Sequence, residues 1–248
     1  YKFPKRLFEN EEIQIIEPKQ LGFKKDGADY QAIKEFLCKE CKDAYGLIIS
    51  MDMLLYGGLI PSRIHHQDEE SLVKKLEIIK ELRKENPNLK IFAFQCIMRC
   101  PSYSSSDEEP DYYEEYGKQI HDLGEAVNMH QVGISQGQRI SELTKEIPEE
   151  YIEDFISRRE INRQMNMNVI DLLQEGYLDS LIIPQDDSTT YGYPAMDQKV
   201  IREKIQELGL IDRVLIYPGA DEVELTLFAR MLNTIKEKCP KVYVKYAF

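Results

Sequence analysis

The chain has 248 residues, 42% of them hydrophobic and 31% charged, the composition of a globular domain with room for a sizeable core. Its net charge of −12 lacks the basic surface that nucleic acid or anionic lipid requires, and no apolar run approaches the roughly 18–20 residues of a membrane span. Five cysteines, an odd number scattered along the chain, read as reduced thiols and lead us to expect a soluble, cytoplasmic protein.

Residues 13–16 form a short apolar run closed by Glu17 and Pro18, the pattern of a strand. Ile33, Phe36, Leu37 and Ala44 are spaced for one face of a helix within residues 26–44. Cys38 and Cys41 have CxxC spacing, but they lie inside that helical pattern with no second pair to complete a metal site, so they read as helix residues. Residues 47–50 are predicted as a buried strand, with a loop over 51–58. Leu72, Leu76, Ile79 and Leu82 mark an amphipathic helix over 68–84, stopped by Asn86, Pro87 and Asn88. Residues 91–97 are the next strand. His65 and His66 have no third ligand at helical or hairpin spacing, so no metal is expected there.

Helical periodicity then runs through residues 111–129, 141–146 and 149–176. That is too much for one ordinary crossover and predicts a helical insertion, residues 111–177, over one mouth of the domain. Tyr112, Tyr113 and Tyr116 have helical spacing, which favours packing. Strands follow at 180–184 and 214–217, helices at 199–208 and 223–238, and a last strand at 241–246. Short strands that are apolar throughout and alternate with helices belong to parallel sheets covered on both faces. We therefore expect a single α/β domain over residues 1–248, a TIM-type barrel that is incomplete here, with an open doubly wound parallel sheet as the alternative. A start at Tyr1 and an end on a strand with an unpaired edge predict a chain cut at both ends.

In both architectures ligands bind beyond the carboxyl ends of the strands. Four clusters fall there: Asp52, Tyr56, Gly57, Gly58, Ser62 and Arg63; Arg99 and Tyr103; Gln185, Asp186, Asp187 and Tyr191; and Gly219, Asp221 and Glu222. Adjacent carboxylates at Asp186 and Asp187 repel each other, which raises one pKa and leaves the other group ionised, a division suited to acid–base work. The structural alternative is a strand-end loop in which one aspartate caps the next segment. Asp221 with Glu224 has capping-box spacing, leaving Glu222 to face the mouth. Arg63 and Arg99 could clamp an anionic or hydroxylated substrate, or pair with the aspartates. No P-loop, GxGxxG or GxSxG pattern occurs, so no cofactor is expected.

At residues 3–7 (FPKRL), 50–63 (SMDMLLYGGLIPSR), 98–99 (MR) and 109–112 (EPDY), the sequence resembles a bacterial family known as domain of unknown function 4127. The resemblance continues through Arg158, Arg159 and Asn162, through Gln185, Asp186 and Asp187 with Tyr191 and Gly192, and through 217–222 (YPGADE). It covers the chain nearly end to end, its members extend further on both sides, and it implies no catalytic assignment. The aspartate pair is also similar to that of barrel glycosidases acting on N-acetylated amino sugars. That similarity implies that Asp186 orients the substrate acetamide as nucleophile and Asp187 protonates the leaving oxygen.

The expected function is a glycoside hydrolase for N-acetylhexosamine-type linkages, with a small-molecule or oligosaccharide substrate and neither nucleic-acid nor membrane partner. One alternative is a metal-assisted hydrolase using Asp52, Asp186, Asp187 and Glu222 as oxygen ligands. The other is a non-catalytic carbohydrate-binding or scaffold domain.

Overall fold

Four short apolar segments pair in the order in which they occur. The computed structural model describes all residues except Tyr1, Glu11, Asp187, Pro240, Val242, Ala247 and Phe248, and excepting the side chains of Lys2 and Phe3. In it β1 (Gly46–Ser50), β2 (Lys90–Phe94), β3 (Ser180–Gln185) and β4 (Val214–Pro218) form one parallel sheet of order β1-β2-β3-β4. Ile48 lies opposite Phe92, Phe94 opposite Ile182, and Ile182 opposite Leu215.

Successive side chains of a strand point to opposite faces, and the two faces are covered differently. Leu47, Ile49, Ile91, Ala93, Leu181, Ile183, Val214 and Ile216 belong to the main apolar cluster. They pack there with residues of α2 (Tyr30–Glu40), α3 (Met51–Tyr56), α4 (Glu69–Glu85), α7 (Glu149–Gln174) and α8 (Tyr193–Glu207). The other parity, Ile48, Phe92, Phe94, Ile182 and Tyr217, packs with Val223, Leu227 and Met231 of α9 (Val223–Ile235). β3 sits between two strands and two covered faces, and all six of its residues are buried, which is why its sequence reads as an unbroken apolar run.

The connections follow from local chemistry. α4 begins where Asp68 accepts the Ser71 N–H at 2.8 Å, buries Leu72, Leu76, Ile78, Ile79 and Leu82, and stops at Asn86. Asn86 Nδ2 then donates to the carbonyls of Cys41 and Ala44, 3.1 Å each, tying this turn to the end of α2. α5 (Tyr113–Gln131), α6 (Gly137–Glu146) and the first half of α7 build a second apolar cluster around Tyr113, Ile120, Leu123 and Phe155. The second half of α7, through Met165, Val169, Ile170 and Leu173, lies on the sheet as the β2-to-β3 crossover. Tyr112 stacks on Tyr151 at 4.7 Å and Tyr113 packs against Phe155, so the tyrosines of this segment pack.

Several expectations are corrected. The described residues form an open four-stranded sheet and not a closed barrel; an open α/β sheet fits, its second face covered by α9. Residues 13–16 form no strand: Asn10 Oδ1 takes the N–H groups of Glu12 and Ile13 in a local turn, and Ile16 is exposed. Lys241 and residues 243–246 also lie outside the sheet, with Tyr243, Val244 and Tyr246 exposed. The predicted 51–58 loop is α3, which Ser50 caps by accepting the Met53 N–H and Gly57 ends at φ 87°. No side chain caps α9; Glu222, not Asp221, stands at its N-cap position. Among the described residues no helix is long and apolar enough to cross a membrane.

Candidate active site

The carboxyl end of the sheet carries a small, mostly enclosed cavity lined by Asp52, Ser62, Arg63, Gln95, Arg99 and Asp186, together with Asn162, Cys96 and apolar neighbours. Each polar side chain is placed by the way its strand ends. Ser50 is both the last residue of β1 and the cap of α3, so the chain turns directly into a helix whose first turn presents Asp52. Gly57, left-handed, ends α3 after six residues, and a 3-10 turn at Pro61–Arg63 returns Arg63 toward the same space. β2 ends at Phe94, but the Gln95 and Ile97 N–H groups still donate to Ile182 O and Pro184 O of β3, and Ile97 forms a bridge with Gln185. Between them the Cys96 N–H donates to Asp52 Oδ2 at 2.9 Å. Asp186 is the first residue beyond β3 and is about a third exposed.

Two guanidiniums fill the space between the loops. Arg63 Nη1 lies 3.2 Å from Glu108 and 3.3 Å from Glu109, and its Nη2 lies 3.9 Å from Asp186. Arg99 meets the same three carboxylates, Glu109 at Nε and Glu108 at Nη2, both 2.8 Å, and Asp186 at Nη1, 3.6 Å. Glu109 is buried, whereas the Glu108 side chain is 46% exposed. Burial pushes the Glu109 carboxyl up while both arginines pull it down.

α7 braces the cavity from outside. Asn162 Nδ2 donates to Ser62 O at 2.8 Å, its Oδ1 lies 3.2 Å from His65 Nε2, and Arg158 Nε donates to His65 O at 2.8 Å. Arg159 donates to the carbonyls of Met98 and Arg99 and pairs with Asp197 at 2.6 Å. One helix thus holds the loops after α3 and after β2.

Burial pushes the Asp52 carboxyl up to about 7, against the Cys96 N–H and the charge of Arg63. The Cys96 thiol is raised well above its ordinary value by burial, with Asp52 adding to the shift, so it stays protonated. The cavity therefore combines a carboxyl that titrates near neutrality with a carboxylate, Asp186, paired to two arginines. Asp52 is thereby suited to exchanging a proton near neutral pH, while Asp186 faces the two guanidiniums.

Of the residues expected at the site, Asp52, Ser62, Arg63, Arg99 and Asp186 come together around the cavity. The rest do not line it, and Asp187 lies outside the described residues. Tyr56 is buried with its ring stacked on His65 at 4.6 Å, because its place on α3 turns it into the core. Gln185 is buried within β3 and accepts from Gln198. Tyr103 is exposed, Tyr191 sits before α8 with its carbonyl bound to Thr189 Oγ1, and Asp221 and Glu222 are exposed ahead of α9. Glu108, Glu109, Gln95 and Cys96 went unassigned in the sequence. The one signal, for Glu108 and Glu109 alone, was a pair of acids in the segment that follows Arg99.

Among the described residues no group of three or more His, Cys, Asp or Glu side chains is placed to hold a metal ion. Asp52, Asp186 and Glu222 thus form no ligand set among themselves. No curated protein and no solved structure matches the chain. The sequence pattern of the family described as protein of unknown function (DUF4127) matches residues 1–248, and the chain belongs to that family.

Proposed function

We propose that the cavity is the acid–base centre of a glycoside hydrolase. The observation that carries this reading is the pair Asp52 and Asp186, which line one cavity in opposite surroundings. Glycosidic cleavage passes through a transition state with positive charge on the sugar ring and needs a group that exchanges a proton near neutral pH. Asp52, raised to about 7, suits the proton transfer. Asp186, beside Arg63 and Arg99, suits the stabilising anion. We take the N-acetylhexosamine linkage from the similarity of the Asp186 and Asp187 pair to that of barrel glycosidases acting on N-acetylated amino sugars, in which one carboxylate orients the acetamide and the other protonates the leaving oxygen.

The free cysteines fit a cytoplasmic setting. The test uses aryl N-acetylhexosaminides with Asp52→Asn, Asp186→Asn and Asp187→Asn variants. We expect each substitution to lower kcat/KM by at least about 100-fold. Wild-type turnover in Asp52→Asn and Asp186→Asn would remove the assignment, and sugar binding without turnover in the wild type would favour a non-catalytic carbohydrate-binding domain.

A further inference from the structure

The cavity is small. Its free space is about 10 Å³, on the scale of one water and far below that of a sugar ring. Gln95, 1% exposed, lines it, and Gln95 Oε1 is buried without a hydrogen-bond partner. A buried acceptor left unpaired is destabilising, so a donor small enough to enter is favoured there. The neighbouring donors are otherwise engaged. Asn162 Nδ2 is taken by Ser62 O and Met98 Sδ, Ser62 Oγ donates to Leu59 O, and the guanidiniums of Arg63 and Arg99 face carboxylates. Asp52 supplies the second acceptor, since a carboxyl group that already takes the Cys96 N–H has lone pairs left over.

We propose that Gln95 and Asp52 hold the water that acts as nucleophile, so that hydrolysis is a direct displacement with inversion at the sugar carbon. One water hydrogen goes to Gln95 Oε1 and the other to Asp52. As the water oxygen bonds to the anomeric carbon, the bond to the leaving oxygen breaks. The water proton passes to Asp52, and the leaving oxygen takes a proton from the general acid of the hydrolase reading. Gln95 is a positioning residue for the water, and Asp52 is its base. The water site stands on the cavity alone; its role in catalysis rests on the hydrolase reading and replaces the acetamide as nucleophile.

The closing experiment has two arms. A high-resolution crystal structure of the wild-type chain is expected to show one water bonded to both Gln95 Oε1 and Asp52, and a Gln95→Met structure to have lost it. A cavity without that water in the wild type overturns the proposal whether or not the protein turns over substrate. In the second arm, NMR follows the anomer first released from an aryl N-acetyl-β-hexosaminide. The α-anomer, with kcat reduced at least about tenfold in Gln95→Met and KM little changed, supports a positioned nucleophile. The β-anomer overturns it while leaving the hydrolase reading intact. A bound water with no turnover on any aryl hexosaminide sinks the catalytic role together with the hydrolase reading.

Discussion

The Cys96 N–H, which would otherwise continue the β2 ladder, donates to Asp52 Oδ2 at 2.9 Å and thereby joins the ends of β1 and β2. The bond satisfies one oxygen of a carboxyl group that is almost wholly buried, and the burial has a measurable consequence in pH.

Asp52 moves from an ordinary 3.8 to about 7 on folding. Between those values the folded chain holds a proton that the unfolded chain has released, so stability falls as pH rises, by up to about 1.4 kcal/mol per unit. His65 acts in the opposite sense. Burial lowers it from 6.5 to about 4, so the unfolded chain holds the extra proton and stability falls as pH drops through that window. The two slopes oppose each other from about pH 4 to 6.5. Relative to wild type, Asp52→Asn is expected to gain stability steadily from pH 4.5 upward, reaching on the order of 4 kcal/mol at pH 8. His65→Asn is expected to gain relative to wild type as pH falls below 6.5. Urea unfolding at pH 4.5, 5.5, 6.5 and 8 checks both, and parallel pH profiles for all three proteins would contradict the assignment.

Glu108 and Glu109 are neighbours with the same partners, yet their substitutions should differ sharply. Glu109 is 1% exposed and lies 3.3 Å from Arg63 and 2.8 Å from Arg99, so Glu109→Gln leaves buried guanidinium charge without its inner partner. Breaking a buried pair on one side costs about 3–5 kcal/mol. Glu108 is 46% exposed, where screening by solvent limits its pairs to about 1 kcal/mol or less. Chemical denaturation of Glu108→Gln and Glu109→Gln is expected to separate the two by at least about 2 kcal/mol, and similar losses would mean that the cluster shares its charge evenly.

How far the sequence disclosed this architecture depended on whether the signal was local. The four strands and the long helices were legible because apolar periodicity records burial on each element, as at Leu72, Leu76, Ile79 and Leu82 of α4. The end of the sheet that carries the cavity was legible too, since it follows from parallel connections, and five of the expected residues do meet there. Sheet closure was not legible, because the covering of Phe92 and Ile182 by Leu227 and Met231 is a long-range choice that no period encodes. The 13–16 run showed strand composition, but Asn10 offered its backbone a local turn. Gln95 and Cys96 read as ordinary strand residues, because the Cys96 N–H finds its acceptor in a carboxylate 44 residues away in the sequence. Glu109 was hidden for the same reason: a buried acid is recognised only once both arginines are in place.

Gly57 sets where α3 ends and hence where Asp52 and Arg63 stand relative to each other. It has φ 87°, and a Cβ there would lie 2.6 Å from Ala28 N and 2.8 Å from Ala28 O, both backbone atoms that are not easily displaced. Gly176 has nearly the same φ, 86°, but nothing lies within 4 Å of its Cβ position. Gly176→Ala is expected to cost about 1–2 kcal/mol from the left-handed conformation alone. Gly57→Ala adds the backbone clash and should cost at least about 1 kcal/mol more. The difference between the two in urea midpoint isolates the clash, and equal losses would show that the 27–28 segment yields freely.

Ile182 and Ile183 test the coverage of the sheet. They are successive residues of β3 that point to opposite faces, Ile182 toward Leu227 and Met231 of α9 and Ile183 into the main cluster with α7 and α8. Both are buried almost completely, at 0% and 1% exposure. Ile182→Ala and Ile183→Ala are each expected to cost about 2–5 kcal/mol, because each leaves a cavity between packed layers. Leu215 pairs with Ile182 in register and shares its face, but it is 39% exposed where α9 no longer covers the sheet. Leu215→Ala should therefore cost no more than about 1 kcal/mol. If α9 were only loosely seated, Ile182→Ala would resemble Leu215→Ala instead of Ile183→Ala, and thermal unfolding of the three variants distinguishes these outcomes.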